Sequence, residues 1–126
     1  MAAPANNNFA NAEVLALNGG VFIGTNVDAT KETGEPNHAG NAGGKSVWFK
    51  IVLTANKTCI FDTAGSDSAF DTLLAVYHGA AVDALTSDGS NDDYAPYGNN
   101  KSRVEVTLAA GTYYIAVDGY NGSSGA

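Results

Sequence analysis

The chain has little positive charge, a single cysteine and no long apolar run, and each shortage removes a class of protein. Six Lys and Arg stand against thirteen Asp and Glu, for a net charge of −7. Such a surface repels phosphate backbones, so nucleic acid is not an expected partner. One cysteine, Cys59, leaves no intramolecular disulfide to form. It sits in Thr58-Cys59-Ile60-Phe61, which reads as a strand, so a buried, inert thiol is expected. No apolar stretch approaches the roughly 18 residues of a membrane span, and no charged-then-apolar leader is visible. Met1-Ala2-Ala3-Pro4 reads as an expression start or a trimmed boundary, which leaves the natural compartment open. Sustained 3.6-residue periodicity is missing as well, so long helices are not expected.

What remains is the composition of a folded all-β protein. Of 126 residues, 44% are hydrophobic, 10% aromatic and only 15% charged. That length suits one domain with one core. Val, Ile, Phe and Tyr fit pleated, half-buried surfaces. Fifteen glycines supply turn positions.

Two-residue alternation recurs along the chain. Glu13 to Leu17 is ambiguous between a helical turn and a strand. Asn18-Gly19-Gly20 is a turn, and Val21 to Val27 reads as a strand. Asp28 to Lys45 is a polar loop. Ser46 to Leu53 is the clearest strand, with Val47, Phe49, Ile51 and Leu53 on one face. Thr58 to Thr63 and Asp71 to His78 follow as strands, separated by a polar loop from Ala64 to Ala69. Val82 to Leu85 is a short fragment, and Ser87 to Asn100 reads as a long acidic loop. Arg103 to Leu108 and Thr112 to Asp118 form a final hairpin. About seven or eight strands at this spacing, with no βαβ rhythm, predict an antiparallel β-sandwich.

The carboxylates cluster in loops rather than on helix faces. Asp67 and Asp71 bracket the entry to one strand, while Asp92 and Asp93 sit in the long loop. Glu32 and Glu35 lie in the other polar loop. Calcium takes several carboxylates and carbonyls from separate loops, so it is the candidate cofactor for both groups. The competing reading is turn capping, in which Asp and Asn side chains bond nearby backbone amides. No EF-hand or nonapeptide repeat is present. Trp48, Tyr94, Tyr97 and Tyr120, with Tyr114, are candidates for a sugar-binding platform, though such rings often only cover a sheet or loop. His38 and His78 have no activating neighbour in sequence, and no Gly-x-Ser-x-Gly elbow occurs, so no enzyme activity is expected.

Several segments resemble one family: Asn7-Asn8-Phe9-Ala10-Asn11-Ala12, Ser46-Val47-Trp48-Phe49, Phe61-Asp62-Thr63, Phe70-Asp71-Thr72-Leu73-Leu74-Ala75-Val76-Tyr77 and Gly111-Thr112-Tyr113-Tyr114-Ile115-Ala116-Val117-Asp118-Gly119. Together they look like the bacterial pre-peptidase C-terminal domain, from about Asn6 to Gly125. The resemblance implies a jelly-roll-like sandwich, residues 1–126 forming a single domain. It also implies a non-catalytic accessory module of a secreted or cell-surface protein, with the host's neighbouring domains as partners and a protein or glycan as ligand. The alternative class is a structural unit of an extracellular fibre or adhesin. The resemblance further implies a last strand after Asn121-Gly122-Ser123-Ser124-Gly125, where this sequence stops at Ala126. An unpaired edge is therefore expected beside Thr112 to Asp118. It would be filled by another copy, by Met1 to Phe9, by a separate peptide, or by Val14 to Leu17.

Overall fold

The structure is a computed structural model that describes residues 2–126; Met1, the first residue of one donor segment considered above, lies outside the described residues. Seven strands run in chain order: β1 (Glu13–Val14), β2 (Val47–Leu53), β3 (Lys57–Asp62), β4 (Thr72–Gly79), β5 (Leu85–Asn91), β6 (Arg103–Leu108) and β7 (Gly111–Gly119). Among the described residues, helix is confined to three 3-10 turns, Phe9–Asn11, Ala95–Tyr97 and Tyr120–Gly122. The strands form a five-stranded sheet in the order β1-β2-β7-β4-β5 and a two-stranded sheet of β3 and β6. This is the all-β sandwich that the alternation predicts. All pairs are antiparallel except the short β1–β2 contact.

The core lies between the sheets. Ile51 and Leu53 of β2, Leu74 and Val76 of β4, and Tyr113 and Ile115 of β7 meet Cys59, Val104 and Leu108 from the smaller sheet. The opposite face of the large sheet is also covered. There Trp48, Ala75, Tyr77 and Ala116 pack under Phe9. Burial on both faces explains why β4 has six consecutive buried residues from Thr72 to Tyr77, the pattern of an interior strand rather than a solvated one.

Three expectations need correction. Val21 to Val27 is not a strand; the segment makes no sheet pairing. Its far end is tied to the C-terminal tail, since the Asn26 amide donates to the Gly125 carbonyl. The long loop begins later than expected, because Leu85–Asn91 is the edge strand β5. Its polar sequence suits an edge, where one side is left to solvent. Finally, β7 has no open side: it is central, flanked by β2 and β4. The outer edge of β2 is taken by β1 and by Asn6, whose carbonyl accepts from the Trp48 amide at 2.9 Å. Neither Val14 to Leu17 nor the N-terminal segment therefore lies beside β7.

The aromatic cluster on the outer face makes a quantitative demand. Trp48 is 0% exposed and meets the Phe9 ring edge-on at a centroid distance of 5.2 Å. Trp48→Ala should lower unfolding stability by about 3–5 kcal/mol, read by chemical denaturation. A loss below about 1 kcal/mol would mean that the N-terminal segment does not seal this face.

Candidate functional site: an acidic pocket at one end of the sandwich

The end of the large sheet gathers loops that are distant in sequence. Asp71 precedes β4, while Asp92 and Asp93 follow β5. The antiparallel register pairs Leu74 with Asn91, so the start of β4 and the end of β5 lie together. Thr72 pairs with Gly119, which brings Tyr120 to the same place. Asn99 and Asn100 complete the wall. These six residues line a cavity of about 320 Å³, within the size range of small-ligand sites.

Inside it, one carboxylate oxygen from each of Asp71, Asp92 and Asp93 lies within 4.8 Å of the others. Asp71 Oδ1 and Asp92 Oδ1 are buried without a hydrogen-bond partner among the described residues. Turn-capping aspartates look different. Asp62 accepts from the Ala64 amide at 3.1 Å, and Asp118 accepts from Lys45 at 2.8 Å and Gly119 at 2.7 Å. Unsatisfied buried carboxylate oxygens are costly, and the electrostatics record the cost. Burial, then the negative charge of Asp93, pushes the Asp71 carboxyl above its ordinary value, against an opposing pull from Lys101. Burial also raises Asp92, helped by Asp93 and Asp71. Lys101 does not neutralise the cluster directly. Its ammonium donates to the carbonyls of Asp67 and Phe70, at 2.6 and 2.9 Å. The chemistry that fits is a hard cation, held by carboxylate oxygens from two loops.

The other candidates divide differently. Asp67 does not join the cluster; its Oδ2 accepts from the Ala126 amide at 3.1 Å, a tail-holding role. Glu32 and Glu35 are each engaged by donors of the protein. Glu32 Oε1 accepts from the Phe9 amide at 2.5 Å. Glu35 is buried and accepts from the Ser46 hydroxyl at 2.5 Å and from His38 Nε2 at 2.7 Å. With Nε2 donating, His38 Nδ1 accepts from the Tyr77 hydroxyl at 2.7 Å. Asp118 lies close enough to complete a three-residue group with Glu35 and His38, but its oxygens accept backbone amides. The sequence holds two signals for this network: Glu35 and His38 are three apart, and Tyr77 belongs to an apolar strand.

The aromatic platform is not formed. Trp48 is sealed among Phe9, His38 and Tyr77, so it cannot stack on a ligand from solvent. Tyr94 and Tyr97 pack edge-on against each other at 4.7 Å, with the Arg103 guanidinium over Tyr94. Only Tyr120, 40% exposed, faces the acidic pocket.

The fold thus defines a two-sheet β-domain whose polar site is built from loops at one end. The bacterial pre-peptidase C-terminal domain matches residues 45–119, more than half of the chain, and the chain belongs to that family. Comparison with curated proteins and with solved structures gave no match. Domains of this family are accessory parts of larger, usually secreted proteins. No helix among the described residues is long and apolar enough to cross a membrane.

The Glu35 network has a defined pH signature. Burial raises the Glu35 carboxyl, but hydrogen bonds from His38 and Ser46 outweigh it and hold it below its ordinary value. A depressed carboxyl stabilises the fold above the unfolded pKa, and that stability is lost as pH falls through the folded value. Tyr77 is pushed upward by burial and by the charges of Glu35 and Asp118. Its contribution is complete below about pH 10 and disappears as pH rises further. Melting temperatures across pH should fall at both limits. Tyr77→Phe should remove the alkaline limb and cost about 1–3 kcal/mol at neutral pH, because His38 Nδ1 is left unpaired. An unchanged alkaline limb would contradict the assignment.

Proposed function

We propose that the chain is a non-catalytic accessory module of a secreted or cell-surface protein, and that its acidic pocket holds calcium. The observation that supports the metal is the pair of buried, unpartnered oxygens on Asp71 and Asp92, facing a third carboxylate from Asp93. Because the Asp71 and Asp92 carboxyls are raised, their contribution is favourable only below the unfolded carboxylate pKa and is lost at higher pH. At neutral pH the metal-free cluster therefore opposes folding, and a divalent cation removes that opposition. Calcium would also tie the entry to β4 to the exit from β5, a rigidifying role suited to a domain attached to others.

A second reading draws on Tyr120, Asn99 and Asn100 around the same cavity. Carboxamides and one exposed ring are groups that bind sugar hydroxyls and a sugar face, so a glycan is the second class of ligand. Titrating calcium-loaded protein with a glycan panel tests it, and loss of binding in Tyr120→Ala would place the sugar here.

The calcium reading is tested by melting the protein with calcium and then with chelator. A ligand bound only by the native state adds about 2.7 kcal/mol at a hundredfold excess over Kd, so the curves should separate by several degrees. Asp92→Asn should abolish that separation while melting no lower than the original chain in chelator, since a repelling charge is gone. Asp67→Asn should keep the separation. Identical curves for the original chain would refute calcium binding.

A further inference from the structure

The stretch between β1 and Asn26 stands out from the rest of the molecule. Ala16 to Thr25 is the longest unbroken run of exposed residues among the described residues. At its centre Val21, Phe22 and Ile23 are 90%, 40% and 93% exposed. Among the described residues, no backbone hydrogen bond involves Gly20 to Gly24, and the segment joins neither sheet. A Cβ placed on Gly19, Gly20 or Gly24 would meet nothing within 4 Å, so the chain stands clear of its surroundings on both sides of the apolar triplet. No charged residue lies between Glu13 and Asp28, although the whole chain carries −7. Three large apolar side chains held out on an unpaired backbone are a recognition feature.

An endopeptidase binds its substrate as an added strand. Its cleft pairs with free backbone N–H and C=O groups, and a pocket takes one side chain. Gly20 to Gly24 meets both demands without unfolding. Similar exposure elsewhere does not. Tyr97 and Tyr120 are 39% and 40% exposed, close to Phe22, but each lies in a 3-10 turn. Their amides already donate to the carbonyls of Tyr94 at 2.8 Å and Asp71 at 2.9 Å.

Both flanks of the segment are held independently. Upstream, the Leu15 amide donates to the Lys50 carbonyl at 2.7 Å, the Trp48 amide donates to the Asn6 carbonyl at 2.9 Å, and Phe9 packs on Trp48. Downstream, the buried Asn26 side chain donates to the carbonyls of Lys45 and Ser123, at 3.0 and 3.1 Å.

We propose that the Phe22–Ile23 bond is a processing site for an endopeptidase whose pocket takes a large apolar or aromatic side chain, and that the cut domain persists as two chains without a covalent link. Water adds across the peptide bond. The Phe22 carbonyl carbon gains the hydroxyl as its bond to the Ile23 nitrogen breaks, and that nitrogen takes the proton. At neutral pH the products are a carboxylate on Phe22 and an ammonium on Ile23. Cys59 is the single cysteine, so no disulfide ties the pieces. Enzymes that cut after Lys or Arg have no target here, the nearest such residue being Lys31. The proposal is independent of the calcium reading.

The test uses the 126-residue chain and a trace of chymotrypsin, whose hydrophobic slot takes aromatic residues, with calcium and with chelator. Fragment masses should show the first cut after Phe22 in both conditions, while the bonds after Tyr97 and Tyr120 stay intact. The two pieces should elute as one species in native buffer and part in denaturant. The rate of the first cut, relative to a small peptide substrate, should be flat across low urea, because cleavage through global opening rises with denaturant. Phe22→Ser should slow the first cut by roughly tenfold or more, while the chain still elutes and melts as a folded domain. A first cut at Tyr97 or Tyr120, a rate that climbs with urea, or fragments that part in native buffer would overturn the proposal.

Discussion

The buried hydrogen bond between Glu35 and His38 is the constraint on which the outer half of this molecule depends. A carboxylate removed from water must find donors of good geometry, or the fold loses more than the contact returns. Glu35 finds them only when its loop lies flat on the large sheet, where Ser46 immediately precedes β2 and Tyr77 stands on β4. That placement covers Trp48 and gives the sheet its second apolar face. Asp118 fixes the end of the same loop through the amides of Gly44 and Lys45. The approach is so close that a Cβ on Gly43, where φ is +52°, would lie 2.0 Å from an Asp118 oxygen. Polar groups here select one loop conformation rather than add much net stability.

Eight of the thirteen acids thus form two groups that a charge count cannot distinguish. Glu32, Glu35, Asp62, Asp67 and Asp118 each accept hydrogen bonds from the protein. Asp71, Asp92 and Asp93 converge on a cavity, and two of them keep buried oxygens without partners. Asp71 is tied to the tail as well: its amide donates to the Ser123 hydroxyl and its carbonyl accepts from the Tyr120 amide. The pocket and the C-terminal tail therefore share one residue.

Much of the fold was legible because alternation reports half-buried pleated surface directly. Val47–Leu53, Thr72–Gly79 and Arg103–Leu108 all read correctly within a residue or two. Alternation failed where burial and pairing part company. Val21 to Val27 has the apolar pattern without a neighbour, whereas Leu85–Asn91 has a neighbour without the apolar pattern. Trp48 was misread because sequence cannot tell a solvated second face from one covered by a distant loop. Among the acids, Asp71, Asp92 and Asp93 were legible as a group because they flank paired strands. Asp67 and Glu35 were not separable from them, since their partners, Ala126, Ser46 and His38, are set by tertiary contact.

We propose that the three aspartates form a cation site rather than a set of turns. A crystal structure of the chain grown at neutral pH with calcium tests it most directly. The map should show an ion with about seven oxygen ligands at about 2.4 Å, contacted by Asp71, Asp92 and Asp93, with Glu35 still bonded to His38. An empty pocket at saturating calcium, or an ion seated at Glu35 instead, would contradict it.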